Sequence, residues 1–235
     1  MLTKTVREIA LESPATVRVF EEFKIDYCCG GSKSLEEACR IADADEAGVT
    51  SRLEAVLDSE NGSEAEPPAD PVELIAHIVQ KHHTYTRNEI ERLSPLLKKV
   101  CEKHGQAHEE LFVIRDHFHA LALDLGPHLM REEQVLFPYI EKLARSVQTG
   151  ENRPFAPFGE VRNPIRMMSF EHETAGSILK DMRKASKEYK PPAGACPSYT
   201  ALYFGLEELE RDLHRHIHLE NNLLFPLAIE MESGA

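Results

Sequence analysis

Four stretches of the chain place apolar residues at alternating steps of three and four. The first runs from about Val72 to Glu102 through Val72, Ile75, Val79, Thr86, Ile90, Leu93 and Leu97. The second runs from about Glu109 to Leu143 through Leu111, Ile114, Phe118, Leu121, Leu125, Leu136 and Tyr139. The third starts near Asn163-Pro164 and uses Ile165, Met168, Ala175, Leu179 and Met182. The fourth starts near Ser198 and uses Leu202, Leu206, Leu209, Leu213, Leu223 and Leu227. That spacing is the buried stripe of a bundle helix. The breaks at 103–107, 146–162 and 190–197 hold glycine, proline or polar residues. Short breaks join antiparallel neighbours, so the pattern predicts an all-α, up-down-up-down four-helix bundle over 72–235.

The first 57 residues predict a smaller helical unit. Ser13-Pro14 can cap and open a helix, which should end before Tyr27-Cys28-Cys29-Gly30-Gly31 because paired glycines break helices. Ser34-Leu-Glu-Glu37 has a capping-box pattern, and a third short helix is expected from Thr50 or Ser51 to Leu57. Residues 58–71 are acidic and rich in Gly, Ser and Pro, with nothing to bury, and read as a flexible linker. Asp70-Pro71 reads as an N-cap followed by proline in the first helical position.

Each of the four stripes is interrupted by polar residues where a core residue is due. These are His83 in the first, His128 and Glu132 in the second, His172 in the third, and His216 and Glu220 in the fourth. Within His128-x-x-x-Glu132 and His216-x-x-x-Glu220 the two side chains share one helix face. In an antiparallel bundle all six fall at one level, about 15 Å from the same end. The set recurs along the chain at a spacing of 88 or 89 residues, which suggests a pseudo-two-fold arrangement with two metal ions. Burying such groups without partners costs about 1–3 kcal/mol each, and more if charged. A metal removes much of that cost. Imidazole with carboxylate, and with coordination positions left open, is the donor set of non-haem iron, though zinc and manganese accept it too. His82, His214 and His218 read as solvent-facing or as partners of the ligands.

Composition narrows the surroundings. A net charge of −13 argues against nucleic acid as a partner, and no apolar run is long enough to cross a membrane. Met1–Ala10 carries Lys4, Arg7 and Glu8 and lacks a signal-peptide core, so a cytoplasmic protein is expected. Five cysteines without framework spacing agree with a reducing compartment. Cys28 and Cys29 are adjacent, with Cα atoms about 3.8 Å apart. A bond between them would be strained and easily reduced, so the pair is a candidate for redox exchange or transient metal handling. Cys39, Cys101 and Cys196 read as ordinary thiols. Glu171 precedes His172 and is a candidate base or proton-route residue. Tyr85 and Tyr139 read as core residues.

The bundle with His…His-x-x-x-Glu twice and Leu-Phe-Pro after each Glu resembles the hemerythrin-like domains. Joined to Tyr27-Cys28-Cys29-Gly30-Gly31, it is similar over nearly the whole chain to the iron–sulfur cluster repair di-iron proteins of the ScdA/YtfE type. Glu171-His172-Glu173-Thr-Ala-Gly176 and Leu219-Glu220-Asn221-Asn222 match that family's wording. The resemblance implies two non-haem iron ions, oxo- or hydroxo-bridged. His83, His128, His172 and His216 would be terminal ligands, and Glu132 and Glu220 bridging ones. It implies repair of iron–sulfur clusters damaged by nitric oxide or oxidative stress, by iron donation or redox chemistry. Nitric oxide reduction at the same centre, or a hemerythrin-like oxygen or iron sensor, are the alternatives, so whether the protein is an enzyme stays open. Expected partners are damaged iron–sulfur proteins, with nitric oxide or oxygen as ligand. A homodimer is compatible with the resemblance. An oxygen-carrying hemerythrin uses five histidines; four here leave more open coordination, which favours reaction or iron release.

Overall fold

The structure is a computed structural model and describes residues 1–58 and 67–234. Helix α1 (Val6–Glu12) opens with a capping box in which Thr5 and Glu8 serve each other's backbone N–H. Its seven residues are too few for the apolar period to show. Helix α2 (Pro14–Glu22) is capped by Ser13 and α3 (Leu35–Ala42) by Ser34. Helix α4 (Glu46–Leu57) begins before the expected Thr50, because Asp45 Oδ2 accepts the Gly48 N–H at 2.8 Å and caps it earlier. Ile9, Phe20, Tyr27, Leu35 and Leu53 form the core of this unit, and Ile217 from the bundle completes it. Of the expected linker, residues 59–66 lie outside the described residues.

Four long rods follow. The first is α5 (Pro71–His77), a π-helical turn at Ile78–His83, and α6 (Thr84–His104). The second is α7 (Glu110–Arg131), a π turn at Glu132–Leu136, and α8 (Phe137–Thr149). The third is α9 (Arg162–Ala185). The fourth is α10 (Pro197–His218), a π turn at Leu219–Leu224, and α11 (Phe225–Gly234). Helix α6 lies against α7 and α10, and α9 against the same two, which closes the up-down-up-down bundle. One apolar layer holds Leu93, Leu97, Ile114, Phe118, Leu206 and Leu209. Another holds Ile75, Ile78, Leu136, Ile140, Met168 and Leu224. The polar residues singled out above lie along the rods between these two layers.

The π turns have a local cause in two of the three rods. Pro138 and Pro226 have no N–H, and a proline ring crowds the carbonyl four residues back. The chain responds with a wider turn. Phe137 N–H then reaches Glu132 O, and Phe225 N–H reaches Glu220 O, each five residues back. The Leu-Phe-Pro triplets therefore fix the backbone at Glu132 and Glu220. In the first rod the Thr84 N–H likewise reaches Val79 O, five residues back, and Thr84 Oγ1 donates to the same carbonyl at 3.1 Å. The end of the last rod is tied by the buried Glu232, which accepts from Tyr139 Oη at 2.7 Å, from Arg153 at 2.7 Å and from the Val161 N–H at 3.0 Å.

Candidate metal centre

The rods bring His83, His128, Glu132, His172, His216 and Glu220 to one level, and all six are buried, with Glu132 and Glu220 fully so. Two groups of four form. His83 and His216 gather with Glu132 and Glu220; His128 and His172 gather with the same two carboxylates. Within each group the donor atoms lie within 4.8 Å of one another. The histidine pairs therefore join the two halves of the repeat: α6 adjoins α10, so His83 meets His216, and α7 adjoins α9, so His128 meets His172.

Residues behind the rings set their tautomers. His83 Nδ1–H donates to Glu133 Oε1 at 2.7 Å, and Arg87 bonds the same oxygen at 2.8 Å. His128 Nδ1–H donates to Glu171 Oε2 at 2.7 Å, and Arg131 grips both Glu171 oxygens at 2.6 and 2.7 Å. His172 Nδ1–H donates to Asn221 Oδ1 at 3.0 Å, while Asn221 Nδ2 donates to the Cys28 carbonyl at 3.3 Å. Each of these rings thus presents a bare Nε2 to the interior. Burial, then the facing His172, pushes His128 down to about 4, so it is neutral at pH 7. Burial also pushes His216 down.

The arrangement fits a cation and leaves an anomaly without one. His128 Nε2 and His172 Nε2 lie 3.1 Å apart with both protons on the far nitrogens, so two lone pairs face each other. His83 Nε2 and His216 Nε2 are also 3.1 Å apart. Neither Glu132 oxygen has a hydrogen-bond partner, nor do Glu220 Oε2 and His216 Nδ1. His128 Nε2 is 3.3 Å from Glu132 Oε1, but the atoms are not aligned for a bond. Burial, then the facing Glu220, pushes the Glu132 carboxyl well above its ordinary value. Burial acts the same way on Glu220, yet His216, His172 and His83 around it hold it well below. A native fold leaves few buried polar atoms unsatisfied. Here the three carboxylate oxygens among them converge on one place, and positive charge there satisfies all three at once.

Glu171 sits behind His128 as a positioning group, and its carboxylate is held below the usual range because the bonds from Arg131 and His128 outweigh burial. Cys28 and Cys29 do not reach the His–Glu cluster. Their Sγ atoms lie 3.8 Å apart on a turn organised by Asp26, which accepts the Cys28 and Cys29 N–H groups at 3.1 and 2.9 Å. The turn packs on the bundle: Asn222 Nδ2 donates to the Tyr27 carbonyl at 2.9 Å and Arg215 bonds Glu21 at 2.9 Å. Cys28 is buried and Cys29 half-buried. Cys196 is half-buried too, 3.2 Å from His104 at the α6 end of the bundle.

His82 is buried, stacks on His216 at 5.8 Å and bonds Asp212 at 2.9 Å. His218 is buried against Tyr27 and Asn222. Glu133 and Asn221, which orient ligand rings, carry no sign in the apolar pattern; their only signal is adjacency to Glu132 and Glu220. Tyr139 serves Glu232, and Tyr85 packs on the apolar layer.

The hemerythrin HHE cation binding domain family matches residues 74–228, and a family described as Domain of Unknown function (DUF542) matches residues 2–57. The chain is 36% identical to the iron-sulfur cluster repair protein YtfE of Musicola paradisiaca, covering 98% of both chains. It is 34% identical to the probable iron-sulfur cluster repair protein of Haemophilus influenzae, covering 93% of both. It is 30% identical to the iron-sulfur cluster repair protein ScdA of Staphylococcus haemolyticus, covering 94% of this chain and 95% of that one.

Proposed function

The chain belongs to the hemerythrin HHE family, within the iron–sulfur cluster repair proteins, and from that premise we propose that it restores damaged iron–sulfur clusters with a di-iron centre. The observation that carries this reading is the sharing of Glu132 and Glu220 between both four-residue groups. Two dications close together would need anions between them, and the two fully buried carboxylates of the cluster, Glu132 and Glu220, would serve both. His83 and His216 would hold one ion, and His128 and His172 the other. Iron held there supplies one-electron chemistry and open positions for nitric oxide or oxygen.

The chain's own groups prepare that site. Glu133, Glu171 and Asn221 fix three imidazoles with Nε2 inward, and such partners raise both metal affinity and ligand basicity. The apolar layers on either side exclude water. Arg131 and Arg87 reach to the surface and keep Glu171 and Glu133 ionised as acceptors. No helix among the described residues is long and apolar enough to cross a membrane. The test is recovery of a nitric-oxide-inactivated [4Fe–4S] hydratase on adding the iron-loaded chain. Wild type should restore activity, while Glu220→Ala and His128→Ala should not. Equal recovery with both variants would sink the reading. Nitrous oxide formed on many turnovers with an electron donor, without client recovery, would favour nitric oxide reduction at the same residues.

A further inference from the structure

A cleft of about 260 Å³ lies between the N-terminal unit and the bundle. Cys28 and Cys29 line one wall, Arg7 stands beside them, and Ser169, Glu173 and Asn221 come from the bundle. Arg7 and Glu173 form no ion pair with any residue, or with each other, among the described residues. An unpaired guanidinium and an unpaired carboxylate in one small cleft complement a ligand that carries both charges. The half-buried Cys29 lines the same cleft, while Cys28 is buried and donates to Asp26 at 3.4 Å. The volume lies below the range of drug- or nucleotide-sized pockets, about 300–1,000 Å³, and so selects a small ligand.

We propose that this cleft is the docking site of a small amino-acid thiol or its disulfide. Its carboxylate would meet Arg7, its ammonium Glu173, and its sulfur Cys29. The reaction is thiol–disulfide exchange. The Cys29 thiolate attacks one sulfur of the bound disulfide, the disulfide bond breaks, and the departing thiolate takes up the proton that Cys29 gave away. Cys29 is left in a mixed disulfide, and no electrons are gained or lost overall. In the reverse direction the amino-acid thiol returns Cys29 to its reduced form. The cleft floor includes Asn221, which bonds both the Cys28 carbonyl and the His172 ring, so the thiol pair and the candidate centre share one residue. The inference rests on the repair reading and deepens it by naming the class of thiol that exchanges with Cys29, but its test requires no metal.

The experiment treats the full chain with four disulfides: cystine, cystamine, dithiodiglycolate and bis(2-hydroxyethyl) disulfide. Mixed-disulfide formation is followed by intact mass and peptide mapping, each rate divided by that of an unstructured cysteine peptide. Exposed charge contacts are modest, so two together should give cystine roughly a tenfold advantage over the uncharged disulfide. The adduct should map to Cys29. Arg7→Gln should erase the contribution of the carboxylate, and Glu173→Gln that of the ammonium, while Arg7→Lys retains most of the advantage. Thermal midpoints of the variants should match wild type, which separates loss of recognition from loss of fold. Equal normalised rates for all four disulfides would overturn the proposal. So would an advantage that survives both charge substitutions, or an adduct confined to Cys101 or Cys196.

Discussion

Replacing Glu132 by methionine should stabilise the metal-free protein while abolishing its metal site. Both Glu132 oxygens are fully buried without hydrogen-bond partners, and the carboxyl is pushed toward its neutral form by burial and by Glu220. A buried polar group left unsatisfied costs about 1–3 kcal/mol. Methionine has similar volume and no such requirement, and it adds apolar contact with the layers on either side. The metal-free Glu132→Met chain should therefore be more stable by about 1–3 kcal/mol. At about 2–4 °C per kcal/mol for a domain of this size, the midpoint rises by about 2–12 °C. Iron should reverse the order, because a ligand that binds only the folded state stabilises wild type and has no site in the variant. The assay is thermal or urea unfolding of both proteins, stripped of metal and then loaded with ferrous iron under argon. A metal-free variant less stable than metal-free wild type would refute the reasoning, since Glu132 would then be contributing to the fold.

Three further outcomes follow from the geometry. Glu133→Ala frees the His83 ring and should weaken iron binding about 10–100-fold by competition with a chelator, with little change in the metal-free midpoint. Glu232→Leu removes the acceptor shared by Tyr139, Arg153 and the Val161 N–H, and should cost about 1–3 kcal/mol in urea without altering metal content. Asp26 gives a pH dependence. Burial pushes its carboxyl up, but the N–H groups of Gly30 and Cys29 outweigh this and hold it below 3.8. A depressed carboxylate adds stability above its unfolded value and loses it as the pH falls through the folded one. Amide exchange across Cys28–Gly31, corrected for intrinsic rates, should be constant from about pH 5 to 8 and accelerate below about pH 4.

The bundle was legible because a long stripe averages over local exceptions. Leu93, Leu97, Ile114, Phe118, Leu206 and Leu209 are where the period puts them. The six polar interruptions were legible for the same reason: a histidine or glutamate in an apolar register needs a partner, and the structure gathers all six. The π turns were not legible, since the stripe tolerates one extra residue per turn. Pro138 and Pro226 were the available signal. Short α1 and the early start of α4 were hidden because caps, not apolar period, decide them, as Thr5 and Asp45 show. The repeat suggests two ions without saying which histidines meet; helix adjacency pairs His83 with His216 and His128 with His172. Glu133 and Asn221 act through a second residue, and nothing in a single sequence separates them from ordinary surface polar groups.

The central claim is that two ions share Glu132 and Glu220, and anaerobic ferrous iron titration with metal counting tests it most directly. Wild type should take up two irons per chain. His128→Ala should retain one, held by His83, His216 and the carboxylates. Glu220→Ala should lose both together, because each group needs it. One iron in wild type, or a Glu220→Ala chain that still holds one iron as tightly as His128→Ala does, would contradict the shared-carboxylate centre.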